Sequence, residues 1–352
     1  MSLEIVKPSS DHIFNISTPE EFKQVTLAIF RYQATENEVY RNYLKALKIN
    51  PESVLELEQI PFLPIEFFKT HEISIESGIK NQESSISDLS SQISILFKSS
   101  GTTGMIPSKH YVKDVSVYKK SYRKGFEHFY GNMEEYCILA LLPSYLERKD
   151  SSLVYMADDL IKKSKHFQSG FYLHNYEELI SVLKQVEQKK QKTILLGVTY
   201  ALLDLAELNF THERGSRALL RNTIIMETGG MKGKRKEMVR EELHAVLCNG
   251  FGVDSIHSEY SMTELLSQAY SRGNGIFYCP PWMKVMIRDT NDPFSFLSQN
   301  KTGGINVIDL ANINSCSFIA TQDLGKCFAD DSFEVLGRFD NSDIRGCNML
   351  IQ

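Results

Sequence analysis

The sequence lacks the features that mark several large classes of protein. None of its apolar runs approaches the roughly 20 residues that a membrane-spanning helix needs. Its formal net charge of −5 gives no electrostatic reason to expect binding to nucleic acid or to an anionic membrane. The first residues show no basic stretch followed by an apolar core, so we expect no secretory signal. We therefore expect neither membrane insertion nor a nucleic-acid partner.

Cysteine is present but has no ordered spacing. No Cys-x-x-Cys pair occurs and no cysteine lies near spaced histidines, which argues against a zinc site and against a disulfide framework. The six cysteines are Cys137, Cys248, Cys279, Cys316, Cys327 and Cys347. We expect the first five to be small buried hydrophobic residues. Scattered, reduced thiols are typical of a cytoplasmic protein, and this is the location that we expect.

Length and composition are those of an ordinary globular protein. The 352 residues, 42% hydrophobic and 24% charged, are enough to bury a large core. Strand-like and helix-like patterns alternate through the middle of the chain, which favours an α/β fold with a largely parallel sheet. The predicted strands cover residues 93–97, 137–142, 193–198 and 223–226, and the predicted helices cover residues 18–48, 115–129, 177–188, 200–208 and 232–247.

The last part of the chain has a different character. Glycine, asparagine and aspartate become frequent after about residue 271, and strand-like runs at 304–310 and 317–321 replace helices. We therefore predict three segments: a helical N-terminal segment packed on the core (1–92), an α/β core (93–270), and a β-rich subdomain with a tail (271–352). In the predicted helix 232–247, we expect Met238, Val239, Leu243 and Val246 to face inward.

One segment combines hydroxyl groups, glycines and a lysine in a pattern suited to phosphate. In order, its residues are Ser99, Ser100, Gly101, Thr102, Thr103 and Gly104, with Lys109 just beyond. The glycines let backbone N–H groups approach an anion, and the Lys109 ammonium is a compact phosphate donor. A strand before this loop and a helix after it would hold a polyphosphate. The spacing is not that of a Walker A loop, and an ordinary Ser/Gly surface loop is the alternative.

This loop resembles the Ser-Gly-Thr-Thr-Gly loop of the acyl-adenylate-forming enzymes, which is followed by proline and lysine. The extra residues Met105 and Ile106, and Ser108 before the lysine, depart from that pattern. Three further segments resemble family motifs in the family's order: 259–264 (Glu-Tyr-Ser-Met-Thr-Glu), 321–325 (Thr-Gln-Asp-Leu-Gly) and 337–340 (Gly-Arg-Phe-Asp). Ser261 and Gln322 stand where the family has glycine. Four motifs in order are a strong resemblance.

Four further segments narrow the resemblance, namely residues 108–111, 142–148, 227–233 and 345–350. Together they resemble the acyl-protein synthetases of bacterial luminescence operons. This resemblance implies the large domain of adenylate-forming enzymes, with mostly parallel sheets layered with helices, plus a small β-rich subdomain. Because the sequence stops at Gln352, we expect the small C-terminal domain of larger relatives to be absent.

The resemblance also implies an activity. Enzymes of this family activate a fatty acid with ATP as an acyl-AMP, and then pass the acyl group through a cysteine to an acyl reductase. For this chain it implies a fatty or aryl carboxylic acid as substrate, ATP and Mg²⁺ as cofactors, and an acyl reductase as the partner protein. The segment 93–270 would then be the nucleotide-binding core.

The resemblance assigns a role to each matching residue. The loop 99–104 and Lys109 would hold the β- and γ-phosphates, and Tyr260 would lie against the adenine. Thr263 would touch the α-phosphate. Glu264 would hold Mg²⁺, which proteins usually bind through one or two carboxylates plus phosphate oxygens.

Four further residues receive binding roles in the same way. Asp323 would accept hydrogen bonds from the ribose hydroxyls, and Arg338 would pair with ribose or α-phosphate oxygens. Gly229 and Gly230 would line the adenine and acyl pocket, and they also fit an ordinary turn after a strand. His110 and His71 are candidates for catalysis, although a structural role is favoured for each.

Cys347 is the predicted acyl acceptor. A thiol near the end of the chain would take the acyl group as a thioester, and Arg345 would favour its thiolate form. A buried or inert thiol is the alternative for this residue. Two other functions stay open for the whole chain: a phenylacetate-type carboxylate–CoA ligase, and a catalytically inactive nucleotide-binding subunit.

Overall fold

The computed structural model describes residues 7–75, 94–100, 106–143, 150–173, 175–208, 220–229 and 238–339. The predicted site residues outside these ranges are Gly101, Thr102, Thr103, Gly104, Gly230 and Cys347. The chain divides into two compact units. The first comprises Met1–Ile93, Tyr111–Lys113 and Pro281–Gln352, and the second comprises Ser94–His110 and Asp114–Pro280.

The described residues form helices and strands along the whole chain. The α-helices are α1 (Ser10–Phe14), α2 (Pro19–Glu36), α3 (Glu38–Ala46), α4 (Phe67–Thr70), α5 (Val115–Tyr130), α6 (Ser152–Ser164), α7 (Tyr176–Gln188), α8 (Thr199–Glu207) and α9 (Arg240–Phe251). The strands are β1 (Leu63–Pro64), β2 (Ile95–Lys98), β3 (Lys109–Val112), β4 (Cys137–Leu141), β5 (Gly170–Phe171), β6 (Thr193–Val198), β7 (Thr223–Thr228), β8 (His257–Tyr260), β9 (Ala269–Ser271), β10 (Ile276–Tyr278), β11 (Met283–Arg288), β12 (Gly303–Asp309), β13 (Phe318–Cys327) and β14 (Phe333–Arg338).

The second unit is built on a largely parallel sheet. Its strands lie in the order β5-β4-β6-β7-β8 and run parallel, and β9 and β10 continue the sheet antiparallel. Every residue of β4 and β6 is buried, which explains their continuous apolar runs. Helix α6 packs on β4, α8 packs on β6 and β7, and α9 packs on α8. The predicted α/β fold with a mostly parallel sheet is confirmed.

The first unit contains an antiparallel sheet formed by the C-terminal part of the chain. Strands β11 to β14 pair in sequence order, and β1 pairs parallel with β13. The predicted β-rich character of this part is therefore confirmed. The predicted division of the chain at residues 92 and 270 stays a prediction.

The N-terminal helices begin where the sequence predicts, but they form two helices rather than one. Thr18 caps α2 through a capping box with Glu21, and Pro19 occupies the first turn. The predicted single helix 18–48 is wrong, because Asn37 ends α2 and caps α3. Its side-chain oxygen accepts a hydrogen bond from the N–H of Tyr40.

Buried amides attach α2 to a distant loop of the same unit. Gln33 is fully buried, and its side-chain N–H group donates to the carbonyls of Asn312 and Ile313 at 2.9 and 3.2 Å. The Gln33 oxygen accepts from the Ser317 N–H at 2.9 Å. Hydrogen bonds therefore join residues almost 300 positions apart.

Helix α9 differs from its prediction in the face that it buries. The residues that it buries are Leu243, Leu247 and Phe251, which recur every four residues. The prediction that Val239 and Val246 face inward is wrong, since their exposed fractions are 67% and 37%. The residue spacing alone favoured a wider apolar face than the one that the helix buries.

The described cysteines are free thiols, and two of them are fully buried. Burial raises the pKa of Cys137 to about 11 and that of Cys316 to about 12. The buried hydrophobic role predicted for these two is confirmed, whereas Cys248, Cys279 and Cys327 are only partly buried. Of the helices that the structure describes, none has both the length and the apolar character required to cross a bilayer.

Candidate active site

Two serines hold the ends of the hydroxyl-rich segment together. The Ser99 N–H donates to the carbonyl of Ser108 at 3.0 Å, and the Ser108 N–H donates to Ser99 Oγ at 2.8 Å. On the β2 side, the fully buried Phe97 ring packs edge-on against Tyr118 and Tyr155. The ends of the predicted phosphate loop are therefore anchored on the α/β unit.

Lys109 lies at the start of β3, a strand that the sequence interpretation missed. The helix predicted over 115–129 begins at Val115 as expected, as α5, but β3 lies between it and the loop. Asp114 caps α5 by accepting a hydrogen bond from the Ser116 N–H. Burial alternates along β3, so Lys109 is half-buried and His110 is fully buried. The alternating sequence Lys-His-Tyr-Val was the available signal for this strand.

Thr263 and Glu264 occupy the middle of a tight turn directly after β8. The Leu265 N–H closes the turn by donating to the Met262 carbonyl at 3.0 Å. The Thr263 carbonyl lies 2.8 Å from His110 Nδ1. Because a carbonyl oxygen only accepts, the imidazole is the donor and Nδ1 carries the proton. The structure therefore brings the strand of Lys109 to the turn that carries Thr263 and Glu264.

Tyr260 and Gly229 lie at the same edge of the parallel sheet. The register of β7 and β8 pairs Thr228 with Glu259, and Gly229 and Tyr260 are the next residues of the two strands. The mostly buried Tyr260 ring packs edge-on against Phe277, with 6.0 Å between ring centroids. Ligands of α/β proteins bind beyond the carboxyl ends of parallel strands, which is where these two predicted residues lie.

A buried polar network without a clear sequence signal supports this edge. Glu227 on β7 accepts hydrogen bonds from the Thr199 hydroxyl at 3.0 Å and from Arg240 Nη1 at 2.8 Å. The same hydroxyl lies 3.1 Å from the Gly229 carbonyl. Burial alone would raise the pKa of the Glu227 carboxyl, but the adjacent His244 imidazole and the Arg240 charge hold it below its usual value.

The pKa of Glu259, on the neighbouring strand β8, is shifted in the opposite direction. One of its oxygens accepts from the Thr228 hydroxyl, while the other is buried without a hydrogen-bond partner among the described residues. Burial raises the pKa of Glu259. Glu259 is one of the residues that line a small cavity of about 10 Å³. The other lining residues are Phe126, Ile138, Met156, Leu160, Ile194, Leu196, Met226 and Tyr270.

In the first unit, Asp323 and Arg338 form an ion pair. They are directly opposite one another on β13 and β14, and Arg338 Nε donates to Asp323 Oδ1 at 3.2 Å. The Asp323 side chain is 9% exposed and that of Arg338 is 78% exposed. The Phe339 N–H also donates to the Gln322 carbonyl at 2.8 Å. The last two predicted motifs therefore lie side by side.

Arg288 supports both of these motifs from β11, and sequence reasoning missed it. Its guanidinium donates to the carbonyls of Ile305 and Thr321. The same group lies over the Phe339 ring, 5.4 Å from the centroid. A single arginine thus contacts the segment before Asp323 and the segment after Arg338.

Glu264 suits a magnesium ion bound together with phosphate. No cluster of three or more His, Cys, Asp or Glu residues in the described ranges has the geometry of a metal site. Mg²⁺ commonly keeps several waters and takes one or two carboxylates plus substrate phosphates, so a single buried carboxylate is compatible with it. At this turn Glu264 would supply one acidic ligand, and the phosphates of a substrate and water would supply the other ligands of the ion.

Comparison with solved structures identifies the fold. ATP-bound MatB from Rhodopseudomonas palustris aligns with a TM-score of 0.52 and 15% identity, over 70% of this chain and 48% of MatB. This chain thus spans about half the length of MatB. A 2-hydroxyisobutyryl-CoA ligase in complex with 2-HIB-AMP and CoA aligns with a TM-score of 0.62 and 11% identity, over 92% of this chain and 70% of the ligase. At these identities the likeness shows the fold, which is that of the adenylate-forming ligases.

The comparison with curated protein sequences found no match. A family model described as acyl-protein synthetase, LuxE, matches residues 14–352, which is nearly the whole sequence. The match includes the loop, the turn after β8 and the paired motifs on β13 and β14. The chain therefore belongs to the LuxE acyl-protein synthetase family.

Proposed function

We propose that this chain activates a carboxylic acid with ATP as an acyl-AMP and then passes the acyl group to a protein thiol. The observation that carries the proposal is the joining of nucleotide motifs that are far apart in the sequence. The strand of Lys109 is hydrogen-bonded to the turn of Thr263 and Glu264, and Asp323 is paired with Arg338. Family membership supports the same activity.

In the adenylation step, a carboxylate oxygen of the acid attacks the α-phosphorus of ATP, and the bond to the leaving pyrophosphate breaks. Lys109 and the loop 99–104 neutralise charge on the β- and γ-phosphates. Thr263 contacts the α-phosphate, and Glu264 holds Mg²⁺. Donors that are already in place as charge develops are worth the most to such a step.

The motifs in which the residues stand suggest the remaining nucleotide contacts. Tyr260 contacts the adenine, with Gly229 and Gly230 lining the adenine and acyl pocket. Asp323 accepts hydrogen bonds from the ribose hydroxyls, which suits an acceptor-only carboxylate. Arg338 donates to ribose or α-phosphate oxygens with its planar guanidinium.

The acid in this proposal is a fatty or aryl carboxylic acid. Membership of the acyl-protein synthetase family supports a substrate that supplies an acyl group. The cavity that Glu259 lines holds only about 10 Å³ in this structure, so it does not by itself identify the acid.

Cys347 is the proposed acyl acceptor, and it lies outside the described residues. The thiol sulfur attacks the acyl carbonyl, AMP leaves, the thiol proton is released and a thioester forms. The raised pKa values of Cys137, Cys316 and Cys327 disfavour their thiolates and so argue against these three as nucleophiles. An acyl reductase protein would then take the acyl group from the thioester.

Exchange of pyrophosphate into ATP tests the adenylation step. Purified protein with Mg²⁺ and a panel of aliphatic and aromatic acids should catalyse acid-dependent exchange. Bound nucleotide should be measured in parallel by its effect on the melting temperature. Nucleotide binding without exchange for any acid would favour the inactive-subunit alternative.

A second assay tests the acceptor. Labelled fatty acid and ATP should leave on the protein a label that hydroxylamine removes, as it removes thioesters. Cys347→Ala should abolish the label and keep pyrophosphate exchange, while Cys248→Ala should keep both. Full labelling of Cys347→Ala would place the acceptor elsewhere.

A carboxylate–CoA ligase is the second candidate. Its support is that the similar solved structures include a CoA ligase in complex with CoA. Under this alternative, CoA alone would release AMP and acyl-CoA in multiple turnovers. Under the main proposal, multiple turnovers of AMP release would need a protein acceptor, and CoA alone would not support them.

A further inference from the structure

His110 is a buried histidine between two parts of the proposed adenylation site. It is fully buried on β3, directly after Lys109, and its Nδ1–H donates to the Thr263 carbonyl. Burial lowers the pKa of His110 to about 4, against a smaller opposing effect of this hydrogen bond. The imidazole is therefore neutral at pH 7, which suits a hydrogen-bond donor held in one tautomer rather than a proton carrier.

Several contacts besides that of His110 hold the turn after β8. Strand β8 leads into it, the Leu265 N–H closes it, and beyond it the Ser267 hydroxyl lies 2.9 Å from the Ser121 hydroxyl on α5. The His110 hydrogen bond reaches the carbonyl at the middle of this turn. It thereby fixes the residue next to Glu264 against the strand that carries Lys109.

Strand geometry gives this hydrogen bond a consequence for Lys109. Successive side chains of a strand point to opposite faces, so the direction of the His110 side chain sets that of Lys109. The half-buried lysine leaves β3 on the face opposite to the buried imidazole. A shift of β3 against the turn would move the lysine ammonium and the Glu264 carboxylate relative to each other.

We propose that His110 is a positioning residue that fixes the distance between Lys109 and the Thr263–Glu264 turn. This inference rests on the proposed adenylation activity, and it assigns His110 no contact with substrate. A misplacement of about 1 Å in an active site can slow a reaction by roughly 10²-fold. His110 would act on the chemical step through the two residues that its strand and its hydrogen bond hold.

A pair of polar substitutions tests the proposal at the level of one atom. In His110→Asn, the amide nitrogen occupies the place of Nδ1 and can donate to the Thr263 carbonyl. In His110→Gln, the amide nitrogen lies one bond further out, near the place of Nε2. We expect kcat for pyrophosphate exchange to fall about 10²-fold in His110→Gln, with KM for ATP nearly unchanged, and to fall less than about 5-fold in His110→Asn.

A double-mutant cycle separates positioning from general loss of stability. If His110 acts through Lys109, then His110→Gln should cost little further activity in a Lys109→Ala background. His257→Leu serves as the control, because it removes a half-buried histidine whose ring lies 3.1 Å from the Tyr130 hydroxyl. This control should lower stability and leave exchange within about 3-fold of wild type. Additive losses at His110 and Lys109, or equal activity of the Gln and Asn variants, would overturn the proposal.

Amide hydrogen exchange at Leu265 tests the same proposal without turnover. The Leu265 N–H closes the turn, so its protection should fall in His110→Gln and persist in His110→Asn and His257→Leu. Unchanged protection in His110→Gln would contradict the inference, whatever the enzyme activity. Absence of pyrophosphate exchange in the wild type, together with loss of protection in His110→Gln, would instead reject the proposed function and retain the positioning role.

Discussion

Lys109 and Arg338 are the two cations to which the proposed function gives phosphate or ribose contacts. Each lies at the end of a strand, half-buried or exposed, and neither fills the apolar core. Their removal should therefore affect the reaction much more than the fold. This contrast makes both residues good tests of function at the scale of a single side chain.

We expect Lys109→Ala to slow acid-dependent pyrophosphate exchange by roughly 10²–10³-fold, the size reported for one preorganised donor to developing charge. Lys162→Ala is the control, because Lys162 is an exposed lysine of α6 paired only with Asp158 among the contacts described. Lys162 is exposed and has no proposed role in the site, so the control should keep full activity. Exchange at the wild-type rate in Lys109→Ala would remove this residue from the site.

Arg338→Ala should also slow exchange by roughly 10²–10³-fold. The Arg338 side chain is 78% exposed, so its ion pair with Asp323 should contribute no more than about 1 kcal/mol to stability. Urea unfolding should consequently give nearly equal free energies for the variant and the wild type. A large loss of stability together with the loss of activity would mean that Arg338 supports the sheet rather than the reaction.

The residue types of the site could be predicted from the sequence, but most of their contacts could not. Lys109, Thr263, Asp323 and Arg338 all stand in motifs with a chemical rationale. The Thr263 carbonyl is reached by a histidine 153 positions away, and no local pattern specifies such a pair. Glu264 could be proposed as a magnesium ligand only because its motif resembles a known one.

At the scale of elements, two buried carboxylates lie on the neighbouring strands β7 and β8. Glu227 is paired with Arg240 and hydrogen-bonded to Thr199, whereas Glu259 faces an apolar cavity. The pKa of Glu227 is lowered and that of Glu259 is raised. The free energy of unfolding should therefore change with pH in opposite directions through Glu227 and through Glu259.

Glu227→Gln should lower the free energy of unfolding at pH 7 by about 1–3 kcal/mol, since it weakens hydrogen bonds to a charged group. A lowered pKa in the folded state gives stability that is present above the unfolded-state pKa and lost as pH falls through the folded-state pKa. The deficit of the variant should thus shrink below about pH 4.5, the ordinary value of a glutamate. Urea titrations from pH 3.5 to 8 would measure it, and a deficit independent of pH would contradict the ion-pair explanation.

Glu259→Gln should show the opposite trend. A raised pKa means that the folded state holds its proton where the unfolded state has lost it, so stability falls as pH rises above about 4.5. An amide has no such ionisation, and the variant should gain stability relative to the wild type with increasing pH. Glu134→Gln, in an exposed pair with Lys165, should leave the free energy of unfolding almost unchanged at neutral pH. Parallel curves for Glu259→Gln and the wild type would show that folding does not raise the pKa of this carboxyl.

Apolar periodicity predicted most of the long elements, because burial on a sheet or a helix face determines the sequence pattern. Strand β6 and helix α7 match their predictions almost residue for residue. The pattern failed where a polar contact determined the structure or where the element was short. Asn37 splits one predicted helix into two, and β3 is only four residues long, so neither leaves a clear apolar period.

At the scale of the whole molecule, the order of motifs predicted the fold more surely than any single element. The family model covers nearly the whole sequence, and the adenylate-forming fold recurs in structures at 11–15% identity. The sequence did not predict in the same way which segments make up the first unit. Its N-terminal helices and its C-terminal sheet are joined by contacts between residues almost 300 positions apart.

Gln33 gives a direct test of this long-range attachment. Gln33→Leu places an apolar side chain of similar size on α2. It removes the hydrogen-bond partner of the Ser317 N–H and of the Ile313 carbonyl. Leaving buried backbone groups unpaired costs about 1–3 kcal/mol in the free energy of unfolding. We expect that loss, together with faster hydrogen exchange at the Ser317 amide.

The matched control lies on the same helix. Gln24 is exposed and hydrogen-bonded to Glu20 one turn earlier, so Gln24→Leu should change stability by less than about 0.5 kcal/mol and leave the Ser317 amide protected. Both substitutions put the same leucine into α2, so helix propensity cancels between them. A difference between the two variants therefore measures the attachment of α2 to the loop before β13. Equal effects of the two substitutions would mean that this loop is held by other contacts, and that the N-terminal helices contribute little to the stability of their unit.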